Sequence, residues 1–210
     1  MDSKKYRNAV NAEGELMPVV KLEQGSEAWL AWRKSRVTAT DVSTKTKLEL
    51  WEEKLDLRPG PELSLLMARG QRLEPEAREL ACQIIDINFE PVVIESTKYP
   101  WLAASLDGIG IGKNQYILEI KCPNAKTHDN AMDNRIPEYY RDQIQTQLLV
   151  SEAEICYYFS YRPEHLGNKY AIVEVYPDKE KQSEIIEKGY EFYMQMCNFE
   201  QPVEWKLNQK

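Results

Sequence analysis

The stretch YILEIKC, residues 116–122, constrains the fold of this chain more than any other. Its Tyr, Ile and Leu residues read as a buried strand, yet Glu119 and Lys121 are poor strand formers. Successive strand side chains alternate faces, so Tyr116, Leu118, Ile120 and Cys122 point one way into apolar surroundings. Glu119 and Lys121 share the other face. The hairpin GIGIGKN, residues 108–114, folds the chain back and brings Asp107 towards Glu119. Two facing carboxylates repel unless a cation lies between them, and hard oxygen ligands suit magnesium or manganese. A lysine beside such an ion can stabilise charge building on a phosphate or orient an attacking water. A surface salt bridge between Glu119 and Lys121 accounts for the same two residues without any chemistry.

The remaining sequence alternates between helical and strand periods. GSEAWLAWRKS opens with Ser26 as the N-cap of a helix that carries Trp29 and Trp32 on adjacent turns. VTATDVSTK opens a second helix at Thr38, with Asp41 three residues on in a variant of the capping box. Residues 62–83 read as helix interrupted at Glu74-Pro75, because proline disfavours helical geometry at the residue before it. Runs rich in Val, Ile, Tyr and Phe predict strands at 89–96, 101–107, 115–122, 154–161 and 169–176. A helix over 136–150, with Pro137 in its first turn, separates the third of these from the fourth. An amphipathic helix closes the chain, its stripe being Ile185, Ile186, Tyr190, Tyr193 and Met196. The sum is one mixed α/β domain over residues 1–210, with residues 1–20 polar and loosely ordered.

A chain of 210 residues, 42% hydrophobic and 29% charged, is long enough for a sizeable core. Its net charge of −7 neither advertises nor excludes a nucleic-acid partner, since a local basic patch or bound cations can attract phosphate. Such a patch lies within residues 26–47, where Arg33, Lys34, Arg36, Lys45 and Lys47 face only two acidic groups. A helix opening at Thr38 would also aim backbone N–H groups at an anion. Cys82, Cys122, Cys156 and Cys197 lie far apart without metal-ligand spacing, and we read them as buried free thiols. There is no apolar signal core and no run of membrane-spanning length, so a reducing cytoplasm is expected.

The run D-x11-E-x-K, preceded by a helix bearing Glu74, resembles the restriction-endonuclease-like PD-(D/E)xK nuclease core. Five blocks, QGSEAWLAWRKSRVTATD (24–41), RGQRLEPEARELA (69–81), AASLDG (103–108), LEIKCP (118–123) and YYRDQIQTQLLV (139–150), make the resemblance more specific. In order, they are similar to the signature blocks of the YqaJ-like viral recombinase family, the phage lambda exonuclease type. The resemblance implies a central mixed β-sheet flanked by helices. It implies that Asp107, Glu119, the main-chain carbonyl of Ile120 and Glu74 hold magnesium, replaceable by manganese, as two ions. Lys121 would position or activate water, and Gln143 would touch that water, Lys121 or the scissile phosphate. Arg33, Thr40 and Ser105 would bind substrate, Arg33 gripping a 5′-phosphate. Gln143 and Gln147 are four apart and also fit one exposed polar stripe; we take Gln143 as functional, Gln147 as solvated and Tyr140 as packing. Leu106 stands where the family usually has proline, and the segment between Asp41 and Glu74, containing RPGP, is short. That leaves Leu66 or Met67 as candidates for a strand-separating wedge.

The function implied is a magnesium-dependent exonuclease that degrades one strand of linear duplex DNA from its 5′ end. The 3′ overhang left behind would serve a single-strand-annealing partner, in a bacterial cytoplasm, from a phage or prophage gene. A ring-shaped homotrimer is implied as well, and Trp29, Trp51, Trp205 and a tyrosine-rich second half give large aromatics that could serve subunit interfaces or simply pack inside the monomer. A structure-selective or helicase-associated endonuclease is the alternative enzyme, although its clustered iron–sulfur cysteines are absent. A catalytically inactive DNA-end-binding module is a third reading, opposed by the joint presence of Glu74, Asp107, Glu119 and Lys121.

Overall fold

A six-stranded mixed sheet organises the computed structural model, which describes residues 18–22, 25–44, 46–57, 64–110 and 116–198. The chain runs α1 (Glu27–Lys34), β1 (Val37–Thr38), α2 (Ala39–Thr44), α3 (Lys47–Lys54), α4 (Leu65–Ile85), β2 (Phe89–Glu95), β3 (Leu102–Gly110) and β4 (Tyr116–Lys121). It continues with α5 (Ala125–Met132), α6 (Glu138–Ser151), β5 (Ile155–Tyr161), β6 (Tyr170–Val175) and α7 (Lys179–Cys197). The order is β1-β3-β4-β5-β6, with β2 paired to β3; β1–β3 and β4–β5 are parallel and the other pairs antiparallel.

Alternation along the strands divides the core in two. Leu118 and Ile120 of β4, with Phe159 and Tyr161 of β5, meet Leu73, Ala77 and Ala81 of α4. Ile117, Cys156 and Tyr158 face the other way, towards Ile144 and Leu148 of α6, Phe192 of α7 and Trp51 of α3. At roughly 1.5–3 kcal/mol for each large apolar side chain buried, these two layers dominate the stability.

Several local expectations need correction. Helix α4 runs from Leu65 to Ile85 without a break and keeps Pro75 inside it. Proline removes one hydrogen bond there, and the burial of Leu73, Ala77 and Ala81 on either side offsets the loss. Helices α3 and α5 were not legible as separate elements, although Thr46 with Glu49 forms a complete capping box and Asn124 accepts from the Thr127 N–H. Pro137 is the N-cap of α6 instead of lying in its first turn. In α7 the inward face centres on Ile185, Gly189 and Phe192, while Tyr190 is half exposed. A Cβ at Gly189 would lie 2.8 Å from the Trp101 ring, so the smallest side chain admits the tryptophan. Within the segment expected to be loose, residues 18–20 pair with β2 through the bonds Val20 N–H to Val93 and Glu95 N–H to Pro18. Only Cys156 is fully buried; Cys82 and Cys122 are half-buried, Cys197 is exposed, and all four thiols are free. Trp29 and Trp51 pack inside the monomer, while Trp205, Lys45, the RPGP segment and the tip of the GIGIGKN hairpin lie outside the described residues.

Candidate active site

Two irregularities of β3 build the site. Glu90 pairs with Ile109 and Val92 with Leu106, so two steps along β2 correspond to three along β3. The extra residue is a β-bulge at Asp107–Gly108, opposite Pro91, which has no N–H to give to a ladder. Leu106 and Ile109 consequently both enter the core layer under α6. The family's usual proline is therefore not what shapes this turn: Leu106 is a core residue, and the bulge re-aims the aspartate. Among the described residues, strand β4 pairs with β3 only at Gly108–Leu118 and Ile109–Ile117. Beyond that point the Asp107 carboxylate takes the place of a ladder acceptor and receives the Ile120 N–H at 2.8 Å.

Asp107, Glu119, Ile120, Lys121, Glu74 and Gln143 line one cavity of about 540 Å³, together with Arg33, Thr40, Ser105, Tyr139 and Tyr140. Every residue singled out in the sequence for metal, water or substrate thus meets in one place. Leu66 and Met67 stand at the same cavity and are exposed.

Within it, Glu119 is nearly inaccessible and strongly held. Its carboxylate pairs with Lys121 and accepts from Gln143 Nε2 at 2.8 Å and Gln147 Nε2 at 2.6 Å. The expectation for Gln147 was wrong. It is completely buried, and it also reaches the Ser105 carbonyl at 3.3 Å. A four-residue spacing fits a solvated stripe equally well, but the face of α6 that carries both glutamines lies against β3 and β4. Gln143 touches Glu119 and not Lys121. Tyr140 packs against Tyr158 as expected, and its ring also sits 5.0 Å from the Lys121 ammonium.

Charge is unevenly compensated here. Burial raises the Asp107 carboxyl well above its ordinary value, and the charges of Glu119 and Glu74 raise it further against Lys121 and the Ile120 N–H. Burial alone would lower the Lys121 ammonium, but Glu119 and Asp107 reverse this and leave it raised and charged. Burial also pushes the Cys122 thiol up to about 11, so it is not an available thiolate.

A residue that the sequence reading missed completes the frame. Arg78, one turn after Glu74 on α4, pairs with that carboxylate and donates from Nε to the Asp107 carbonyl at 2.6 Å. The Glu74–Arg78 spacing of i,i+4 was the available signal.

At the other wall, Arg33 lies over the Trp29 ring at 4.6 Å and donates to the Thr38 hydroxyl at 3.2 Å. Ser26 caps α1 as expected, accepting from the Trp29 N–H. Helix α2 has only six residues, and the Asp41 carboxylate already takes the Thr38 N–H at 2.9 Å. The anion attraction expected from that helix start therefore falls to the Arg33 side chain.

The chemistry of the donor set fits a hard divalent cation: three carboxylates share one cavity, and the least compensated is buried and driven towards protonation by the others. Among the described residues no three His, Cys, Asp or Glu groups converge closely enough to form a preformed cage.

The family model of the YqaJ-like viral recombinase domain matches residues 28–154. The chain belongs to the YqaJ-like viral recombinase family. Its fold matches the alkaline exonuclease LHK-Exo from Laribacter hongkongensis, and a second structure of LHK-Exo in complex with dAMP. In both, 26% of residues are identical, 88% of this chain and 99% of that chain are covered, and the TM-score is 0.69. A phage-related exonuclease from Haemophilus somnus 129PT shares the fold at 15% identity and a TM-score of 0.56, over 84% of this chain and 90% of that one. No curated protein matches the chain. Among the described residues of this family member, no helix is long and apolar enough to cross a membrane.

Proposed function

We propose that the protein is a magnesium-dependent exonuclease that hydrolyses one strand of linear duplex DNA from its 5′ end. The observation that carries this reading is the bulge at Asp107–Gly108. It sets a desolvated aspartate beside Glu119 and Lys121, in a cavity whose far wall is Arg33. Family membership and the likeness to an alkaline exonuclease support the nuclease class.

Asp107, Glu119, Glu74 and the Ile120 carbonyl are the groups that would hold magnesium or manganese, as one or two ions. Bound there, such a cation supplies Lewis-acid polarisation of the phosphate and makes water more acidic. The residues do the rest. Glu119, fixed by Gln143 and Gln147, keeps Lys121 directed into the cavity, and the Tyr140 ring limits where the ammonium goes. Beside Glu119 and Asp107, Lys121 is held charged, the form that orients water and stabilises charge on the phosphate. Arg33 receives the 5′-terminal phosphate, with Thr40 and Ser105 on the same cavity wall, and Leu66 or Met67 at the mouth would part the strands.

Three finer features follow the family alone: a 3′ overhang passed to a single-strand-annealing partner, a homotrimeric ring around the duplex, and a cytoplasmic, phage-type setting. Burial of Trp29 and Trp51 takes those two out of the aromatic argument for the ring, whereas Trp205 lies outside the described residues and Tyr139, Tyr170, Tyr176 and Tyr190 are exposed.

The test is incubation of linear duplex, labelled at its 5′ or 3′ ends, beside a closed circle in Mg²⁺. Early release of the 5′ label as mononucleotide, with an intact circle, is expected. Nicking of the circle would favour the structure-selective endonuclease, and no hydrolysis of either would favour an inactive end-binding module. A 5′-phosphorylated end should react roughly ten- to hundredfold faster than a 5′-hydroxyl end, a ratio that Arg33→Ala removes.

A further inference from the structure

A buried ion pair lies behind Arg33, and neither of its partners lines the cavity. Lys54, at the last turn of α3, and Asp41, in the first turn of α2, meet at 2.7 Å with side chains only 4% and 1% exposed. Buried ion pairs gain little net stability over apolar packing, so one retained here calls for a positional reason. The contacts supply it. The Lys54 ammonium also donates to the Arg33 main-chain carbonyl at 2.7 Å, at the C-terminus of α1, where the Arg36 N–H donates to the same carbonyl at 3.2 Å. One cation thus ties the end of the helix that carries Arg33 to the start of the helix that carries Thr40.

The chain of hydrogen bonds has a direction as well. Paired with Lys54, Asp41 is an ionised acceptor, so the Thr38 hydroxyl must donate to it, at 2.7 Å. The hydroxyl lone pair is then left to accept from Arg33 Nη2 at 3.2 Å. Trp29 supports the opposite side of the guanidinium at 4.6 Å. Lys54 thus reaches Arg33 twice, directly at its main-chain carbonyl and, through Asp41 and Thr38, at its side chain.

We propose that Lys54, acting through Asp41 and Thr38, is the positioning residue that presets the Arg33 guanidinium for the 5′-terminal phosphate. It sets end-phosphate selectivity without contacting DNA. The inference rests on the reading of Arg33 given above.

Lys54→Met keeps an unbranched side chain one atom shorter and removes its charge. The quantity to measure is the ratio of initial rates on 5′-phosphorylated and 5′-hydroxyl linear duplex, which is insensitive to the fraction of enzyme folded. The parent ratio of roughly ten- to hundredfold is expected to fall to near equality in Lys54→Met. Thr38→Val, which cuts the same chain at its hydroxyl without introducing an unpaired buried charge, should lower the ratio in the same way if Lys54→Met does not fold. A folded variant with the parent ratio would overturn the positioning role while leaving the Arg33 reading intact. A parent enzyme that does not distinguish the two ends would overturn the Arg33 reading, and this inference with it.

Discussion

Two lysines of this protein sit in carboxylate pairs, and their surroundings give them opposite uses. Lys54 and Asp41 form a closed unit: the ammonium is shared with a helix-end carbonyl and the carboxylate with the Thr38 N–H and hydroxyl. Lys121 and Glu119 form an open one. Lys121 is 22% exposed, faces a cavity, and has two further carboxylates, Asp107 and Glu74, close enough to act on one another. The closed pair is buried, does not line the cavity, and holds backbone in place. The open pair belongs to a cluster with excess negative charge, which is the condition for recruiting a cation. Access to the cavity, more than the pairing itself, separates scaffold from chemistry here.

The largest effect should come from the open cluster. Asp107→Ala and Glu119→Ala are each expected to lower hydrolysis of linear duplex by roughly 10²–10⁴-fold or more, with far-ultraviolet circular dichroism unchanged. Retained turnover in either would place the chemistry elsewhere in the cavity. The closed pair should respond in stability instead. Lys54→Ala strands a buried carboxylate and is expected to cost about 3–5 kcal/mol in urea unfolding, well above the cost of Lys121→Ala. Equal costs for the two lysines would erase the contrast drawn here.

A smaller loss is expected at Gln147→Leu. It deprives Glu119 of one buried donor while keeping the volume, and should cost about 1–3 kcal/mol of stability. Gln143→Ala, at the cavity wall, should cost less. Smallest, and opposite in sign, is Asp107→Asn in metal-free protein. The Asp107 carboxyl is raised in the folded state, so its contribution is fully present below the unfolded value near 3.8 and is lost as pH rises through the higher native value. Asparagine cannot ionise and still accepts the Ile120 N–H. The variant should melt higher at neutral pH, by about 2–4 °C for each kcal/mol relieved, and its melting temperature should vary less with pH. A lower melting temperature would mean that the carboxylates do not strain the fold.

Much of this was legible in the sequence, for identifiable reasons. Strand alternation in YILEIKC placed Glu119 with Lys121 and turned Leu118 and Ile120 to the opposite core layer. Arg33, Asp107 and Glu74 could be brought together because the family blocks carry them in order. The failures share a cause: tertiary burial overrode local rules. Pro75 looked like a helix break because the apolar contacts on either side of it are invisible in one dimension. Gln147 looked solvated because polar spacing on a helix does not tell which side meets the sheet. Pro91 lies inside a strand but does not by itself mark where the partner's pairing shifts, and only pairing with β3 reveals that the bulge lies at the aspartate. Arg78 and Lys54 act on main-chain carbonyls, which leave no signature in side-chain patterns.

The most direct test of the central claim is the behaviour of Lys121→Ala under saturating Mg²⁺, measured as single-turnover hydrolysis beside calorimetric titration with Mn²⁺. Lys121 is not among the groups that would hold the metal, so Mn²⁺ affinity should stay close to that of the parent while hydrolysis falls by roughly 10²–10⁴-fold. Near-normal hydrolysis in the purified, folded variant would contradict the account and reduce the Glu119–Lys121 pair to a salt bridge.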